Sequence, residues 1–195
     1  MAKTQDRRVQ RTQQSIRRAL FELIRERGFE ALSVQDIIDR ANVARATFYT
    51  HFQSKDDLLL SGFEELRASL KERQRIALAE GRNLDETMLA FSREMFAHAD
   101  EHRALFRAMV GKKSGAHVQR RIHQLLLDLV RDDVKALAVR ERSASGPSEA
   151  LVQFLAGSFF GLLIWWLNAK AQLSVEEVDR LFRRLALAAV KSGPL

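Results

Sequence analysis

Helix breakers are scarce in this chain: two prolines and nine glycines stand among 195 residues. No stretch keeps the polar–apolar alternation of a strand, so the backbone is left to the helical period almost throughout. Residues 11–27 carry Ile16, Leu20, Leu23 and Ile24 on one face, and Gly28 stops that helix. Ser33 with Asp36 forms a capping box for a short helix burying Ile37, Ile38 and Ala41. Asn42 tolerates the left-handed turn that ends it. A second short helix, 45–52, turns Phe48 and Phe52 inward and leaves Arg45, Ala46, Thr47, Tyr49, Thr50 and His51 on its outer arc.

Ser54 with Asp57 then opens a long helix to about residue 79. Asn83 with Glu86 is expected to cap one helix carrying Met88, Phe91, Met95 and Phe96, and a short helix follows over 101–110. Loops are expected at 112–116 and 143–148, with a long amphipathic helix between them. Two last helices span about 149–169 and 175–191. The predicted fold class is all-α.

Composition narrows the function classes. Hydrophobic residues make up 46%, enough for a core, and the absence of cysteine excludes a disulfide scaffold, a thiol nucleophile and Cys-ligated metal centres. Lys3, Asp6, Arg7 and Arg8 follow Met1 with no apolar stretch, so no secretory leader is expected and a cytoplasmic location is. The most apolar run, 154–167, reaches only ~21 Å as helix against a ~30 Å hydrocarbon core, so no membrane span is expected. The net charge of +7 is uneven. Residues 1–55 hold 11 Lys/Arg against 6 acids, and the rest of the chain 21 against 19. A concentrated positive end suits a phosphate backbone, although a solvated basic tail has the same composition.

Two short helices joined by a tight turn are a helix-turn-helix candidate. The outer arc of 45–52 suits a ~12 Å major groove. Arg45 can reach guanine edges, Tyr49 and His51 can bond phosphate oxygens, and Lys55 at a capped helix start adds a phosphate site.

Phe29-Glu-Ala-Leu-Ser33-Val-Gln-Asp-Ile37, then Ala41-Asn-Val-Ala-Arg45-Ala-Thr47-Phe48-Tyr49-Thr-His51-Phe52-Gln-Ser-Lys55, closely resemble the DNA-binding segment of the tetracycline-repressor (TetR) family. The resemblance covers about residues 11–60. It implies an all-helical homodimer with an N-terminal three-helix DNA-binding domain (1–55). It also implies a C-terminal effector-binding and dimerisation domain (56–195) whose dimer helices lie at 152–192. The positions matching the family's DNA contacts are Ser33, Arg45, Ala46, Thr47, Tyr49, His51 and Lys55. Asn42 stands where the family often has Gly, Ala44 where Ser or Thr often caps the recognition helix, and Gln53 where a basic residue is frequent. The implied function is that of a transcriptional repressor leaving a palindromic operator when a small molecule binds, the long helix from residue 55 acting as lever.

The last two helices are apolar on more than one face. Phe159, Leu163, Trp166, Leu181 and Leu185 are expected at a subunit interface, with Gly157, Ser158 and Gly161 permitting close helix approach. Phe91, Met95, His98, Phe106 and Met109 are candidates for an effector cavity, against the plainer reading that they are core. No cofactor or metal is assigned. One enzyme alternative rests on His98-Ala-Asp-Glu101-His102, which satisfies the inverted zincin pattern of a zinc hydrolase but lacks a downstream partner Glu. The other rival is a helical protein-interaction module that never touches DNA.

Overall fold

A computed structural model describes residues 2–80, 83–110, 116–140, 148–169 and 173–192, with side chains from residue 7 onward except at 109–118. The described residues form ten helices and no strand. The chain divides into two compact units, residues 1–66 with 108–115, and residues 67–107 with 116–195. The division falls inside the long helix that begins at Lys55.

In the first unit, α1 (Ala2–Arg27) starts well before the expected residue 11, because its Lys, Gln and Arg residues favour helix and no breaker precedes Gly28. Ile16, Leu20, Leu23 and Ile24 are buried as their spacing demands. Gly28 closes the helix in the left-handed region (φ 78°), its N–H donating to the Ile24 carbonyl at 2.9 Å. α2 (Val34–Ala41) opens on the expected Ser33–Asp36 capping box and buries Ile37 and Ile38, while Ala41 is half-buried. Asn42 ends it at φ 51°, ψ 52°, and the Val43 N–H reaches back to the Ile38 carbonyl. α3 (Arg45–His51) follows with no side-chain cap from Ala44. Phe48 and Phe52 meet at 5.9 Å in the core. α4 (Lys55–Glu80) begins at the second expected capping box, Ser54 accepting from the Asp57 N–H at 3.0 Å. Arg40 of α2 makes a two-pronged ion pair with Glu26 of α1 at 2.8 Å on each prong.

In the second unit, the expected helix from Asn83 is broken. It is a single turn, α5 (Leu84–Thr87), then a turn, then α6 (Ser92–Glu101). The break is at Leu89, whose φ of 59° is rare for a branched side chain. Its N–H donates to the buried Asp133 carboxylate at 2.8 Å, and that long-range bond holds the turn. Then come α7 (Arg103–Val110), α8 (Ala116–Arg140), α9 (Glu149–Asn168) and α10 (Val175–Ser192). The expected loops at 112–116 and 143–148 lie outside the described residues, apart from Ala116 at the start of α8 and Ser148, the N-cap of α9. An aromatic cluster fills the core: Phe96 lies 4.7 Å from Phe159 and 5.5 Å from Trp166, and Phe159 lies 4.8 Å from Phe182. By length and composition α9, at 20 residues, is long and apolar enough to cross a membrane, and one face of it is this core.

Candidate nucleic-acid interface

α3 carries its polar residues outward because Phe48 anchors the opposite face among buried residues of the first unit. Arg45, Ala46, Tyr49 and Thr50 are exposed, and Thr47 and His51 are half-buried. Tyr49 keeps 45% of its surface open despite its aromatic ring. Arg45 donates to the Gln35 side-chain oxygen at 3.0 Å and to the Tyr49 hydroxyl at 3.4 Å, with its guanidinium 5.4 Å from the Tyr49 ring centre. These partners are neutral, so they orient the guanidinium without cancelling its charge. By contrast, Arg17, Arg27 and Arg40 are paired with Glu65, Asp36 and Glu26.

Ser33 is exposed, and its hydroxyl accepts from the Asp36 N–H at 3.2 Å. Hydrogen bonds from Ser33 hold the Asp36 carboxyl below the usual carboxylate range, so its charge favours the start of α2. Lys55 departs from expectation. Its ammonium is turned onto the carbonyls of Phe29 (3.1 Å), Glu30 (3.3 Å) and Leu32 (2.8 Å), above the Phe29 ring. It braces the 28–33 turn, its three protons directed at three carbonyls there, and is not turned outward as the expected phosphate site would have it.

A surface groove of about 580 Å³ borders α3, lined by Ala46, Thr47, Thr50 and His51 and, across it, by Arg8, Val9 and Thr12 of α1. Arg8, Thr12 and Gln35 were not singled out in the sequence. The basic run in α1 was the available signal, but Arg8 and Val9 line the groove as helix residues because α1 starts before the expected residue 11.

In the second unit, Phe91, Met95 and Phe106 are fully buried and pack as core, the plainer of the two readings given to them. Phe91 packs 5.9 Å from Phe159. His98 is half-buried beside Phe106, and its burial pushes the imidazole below its ordinary pKa, with His102 adding to the shift. The Met109 side chain lies outside the described residues. A cavity of about 400 Å³ opens elsewhere, lined by Leu78, Leu84, Met88, Asp133, Leu137 and Arg140 among others. Asp133 accepts from Leu89 N–H and from Gln74 Nε2 (2.7 Å), and burial pushes its carboxyl up to about 7.

Of the five residues expected at a subunit interface, three are corrected to core of the single chain. Phe159, Leu163 and Trp166 are 0–1% exposed within the single chain, where they complete its core. Leu181 is half-buried and Leu185 is 60% exposed. The surplus apolar surface of α9 is instead Phe154 (56% exposed) and Trp165 (52%), which share a stripe with the exposed Ser158 and Gly161.

Residues 16–61 match the family described as "Bacterial regulatory proteins, tetR family", and residues 86–187 match "Transcriptional regulator C-terminal region". The chain is 33% identical over 101 residues to the HTH-type transcriptional regulator CymR of Pseudomonas putida, covering 50% of each protein. Matches to this and the neighbouring curated relatives span 19%, 50% and 57% of those proteins' own lengths. Among solved structures, a TetR transcriptional regulator from Streptococcus agalactiae superposes with a TM-score of 0.67 at 26% identity, covering 95% of this chain and 99% of that one. Thermus thermophilus FadR, solved with lauroyl-CoA, shares the fold with a TM-score of 0.65 at 24% identity, over 94% of this chain and 97% of its own.

Proposed function

The chain belongs to the TetR family of bacterial regulatory proteins, and from that premise we propose that it is a cytoplasmic, homodimeric repressor of transcription. In this reading residues 1–55 bind DNA, and residues 56–195 dimerise and bind an effector. Two copies of α3, held ~34–36 Å apart, read successive major grooves of a palindromic operator. The observation that carries this is the Arg45–Gln35–Tyr49 network: an oriented guanidinium on the outer face of a two-helix motif whose first helix is capped by Ser33. Arg45 reads a base edge, and Tyr49, Thr47 and His51 supply backbone contacts, with Ser33 and Ala46 lining the approach.

Phe154, Trp165 and Leu185 support a subunit interface on α9 and α10. At Gly157 and Gly161 an added Cβ meets nothing within 4 Å, which leaves room for a second copy to approach. An effector acts by preferring the conformation with mis-spaced recognition helices, and lowers DNA affinity by its differential binding energy. The effector class we favour is an acyl chain with a polar end. Support comes from lauroyl-CoA in the Thermus protein and from the cavity beside Leu78, Met88 and Leu137 with Arg140 at its wall. No catalysis is part of this reading.

Selection of bound duplexes from a random pool tests it, with anisotropy titrations of the winners at two salt concentrations. A twofold-symmetric sequence bound with steep salt dependence is expected. Failure to enrich any sequence, with binding no stronger than to random DNA, overturns the reading in favour of a helical protein-interaction module.

A further inference from the structure

The last turn of α6 holds a group of side chains that DNA recognition leaves unused. His98 and His102 are one helical turn apart, with their rings 4.7 Å apart and edge-on, and Glu101 lies between them in sequence. One ligand atom from each of the three lies within 4.8 Å of the other two. We infer that His98, Glu101 and His102 form a binding site for a divalent transition-metal ion, zinc foremost.

The local chemistry favours a cation there. Neither imidazole nor the Glu101 carboxylate has a hydrogen-bond or salt-bridge partner among the described residues. The neighbouring charges are already committed. Asp100 pairs with Arg103 at 2.9 Å, and Arg103 also donates to the Trp166 and Leu167 carbonyls while stacking 4.2 Å from the Trp166 ring. Asp100 is therefore tied away as a rival ligand, and Arg103 is held against α9. The negative end of the α6 dipole adds to the attraction.

Two donors ~2.1 Å from a tetrahedral ion lie roughly 3.4 Å apart. The three ligand atoms start within 4.8 Å of one another, so rotation of exposed Glu101 together with small turns of the two rings brings them to that spacing. Two imidazoles and one carboxylate, with no thiolate, select zinc, nickel, cobalt or copper over calcium and magnesium. Three protein ligands leave a fourth position for water or an added ligand. With Glu101 as a ligand, the hydrolase arrangement loses the carboxylate it needs as base. The site instead joins the body of α6 to His102, the residue that ends it. Metal binding then stiffens the junction with α7.

The test uses the untagged full chain, titrated with zinc by calorimetry and with cobalt by visible absorption. One equivalent is expected, with the cobalt bands of a low-coordinate site and a raised Tm. Losing a mere supporting partner of a ligand costs roughly 10–100-fold in affinity, so His98→Ala and His102→Ala should each cost at least as much. His123→Ala, which alters a ring beside Phe160, should bind as the parent does. Glu101→Gln changes one exposed side chain, so it should fold normally and lose affinity with altered cobalt bands. Binding below one equivalent overturns the inference, as does binding that survives loss of both His98 and His102. A Glu101→Gln variant that binds like the parent overturns the three-ligand assignment.

Discussion

The ammonium of Lys55 donates to the carbonyl oxygen of Leu32 at 2.8 Å, so the first residue of α4 braces the turn between α1 and α2. A residue that pattern alone would send to a phosphate is used inside its own subunit. Lys55→Met keeps the aliphatic stem and abandons carbonyls at Phe29, Glu30 and Leu32. Losing hydrogen bonds from a charged donor costs about 1.5–3 kcal/mol. Chemical denaturation should register that loss, and DNA binding should weaken with its salt slope unchanged. A slope lowered by ~1 would restore the phosphate role.

Arg45→Ala removes the oriented guanidinium but no ion pair among the described residues. Folding stability should change little. Operator affinity should fall by about 1–3 kcal/mol, with preference relaxed at one position of each half-site. A randomised operator library measures this, and an unchanged preference would show that Arg45 reads no base.

Trp165 and Trp166 are adjacent but differ in kind: 52% exposed against 1%. Trp165→Glu should give a folded monomer by sedimentation equilibrium. Trp166→Glu should lose helical circular dichroism, because an unpaired charge would replace a ring packed 5.5 Å from Phe96. A dimeric Trp165→Glu protein would place the subunit contact on another surface.

Asp133 predicts a pH dependence of stability. Its folded pKa, about 7, lies above the ordinary carboxylate value because of burial. Between the two values the folded chain keeps a proton that the unfolded chain has released. Stability from this group is thus present at low pH and falls as pH rises towards 7, by roughly 2–3 kcal/mol between pH 5 and 8. Asp133→Asn should flatten that fall in urea denaturation at fixed protein concentration. An identical pH profile would show that the carboxyl ionises normally.

Most of the interface motif was legible beforehand. The Ser33–Asp36 and Ser54–Asp57 caps, the left-handed Asn42 and the inward pair Phe48 and Phe52 all appear where spacing puts them. The bare start of α3 at Ala44 was legible too. The break at Leu89 was not, since its cause is a carboxylate 44 positions away. Nor were the inward turn of Lys55, the buried state of Phe159, Leu163 and Trp166, or the groove between α1 and α3.

The physical division lies in range. A cap, a helical stop or the opposition of two faces is settled among residues three or four apart, whose geometry the chain carries wherever it goes. Which of two apolar arcs on α9 becomes interior, or which polar atom meets Lys55, depends on the neighbour that arrives. Phe96 and Phe182 from α6 and α10 claimed the Phe159 side of α9, leaving Phe154 and Trp165 in the open. Composition and periodicity contain no term for that choice, because burial is a property of the pair of surfaces that meet.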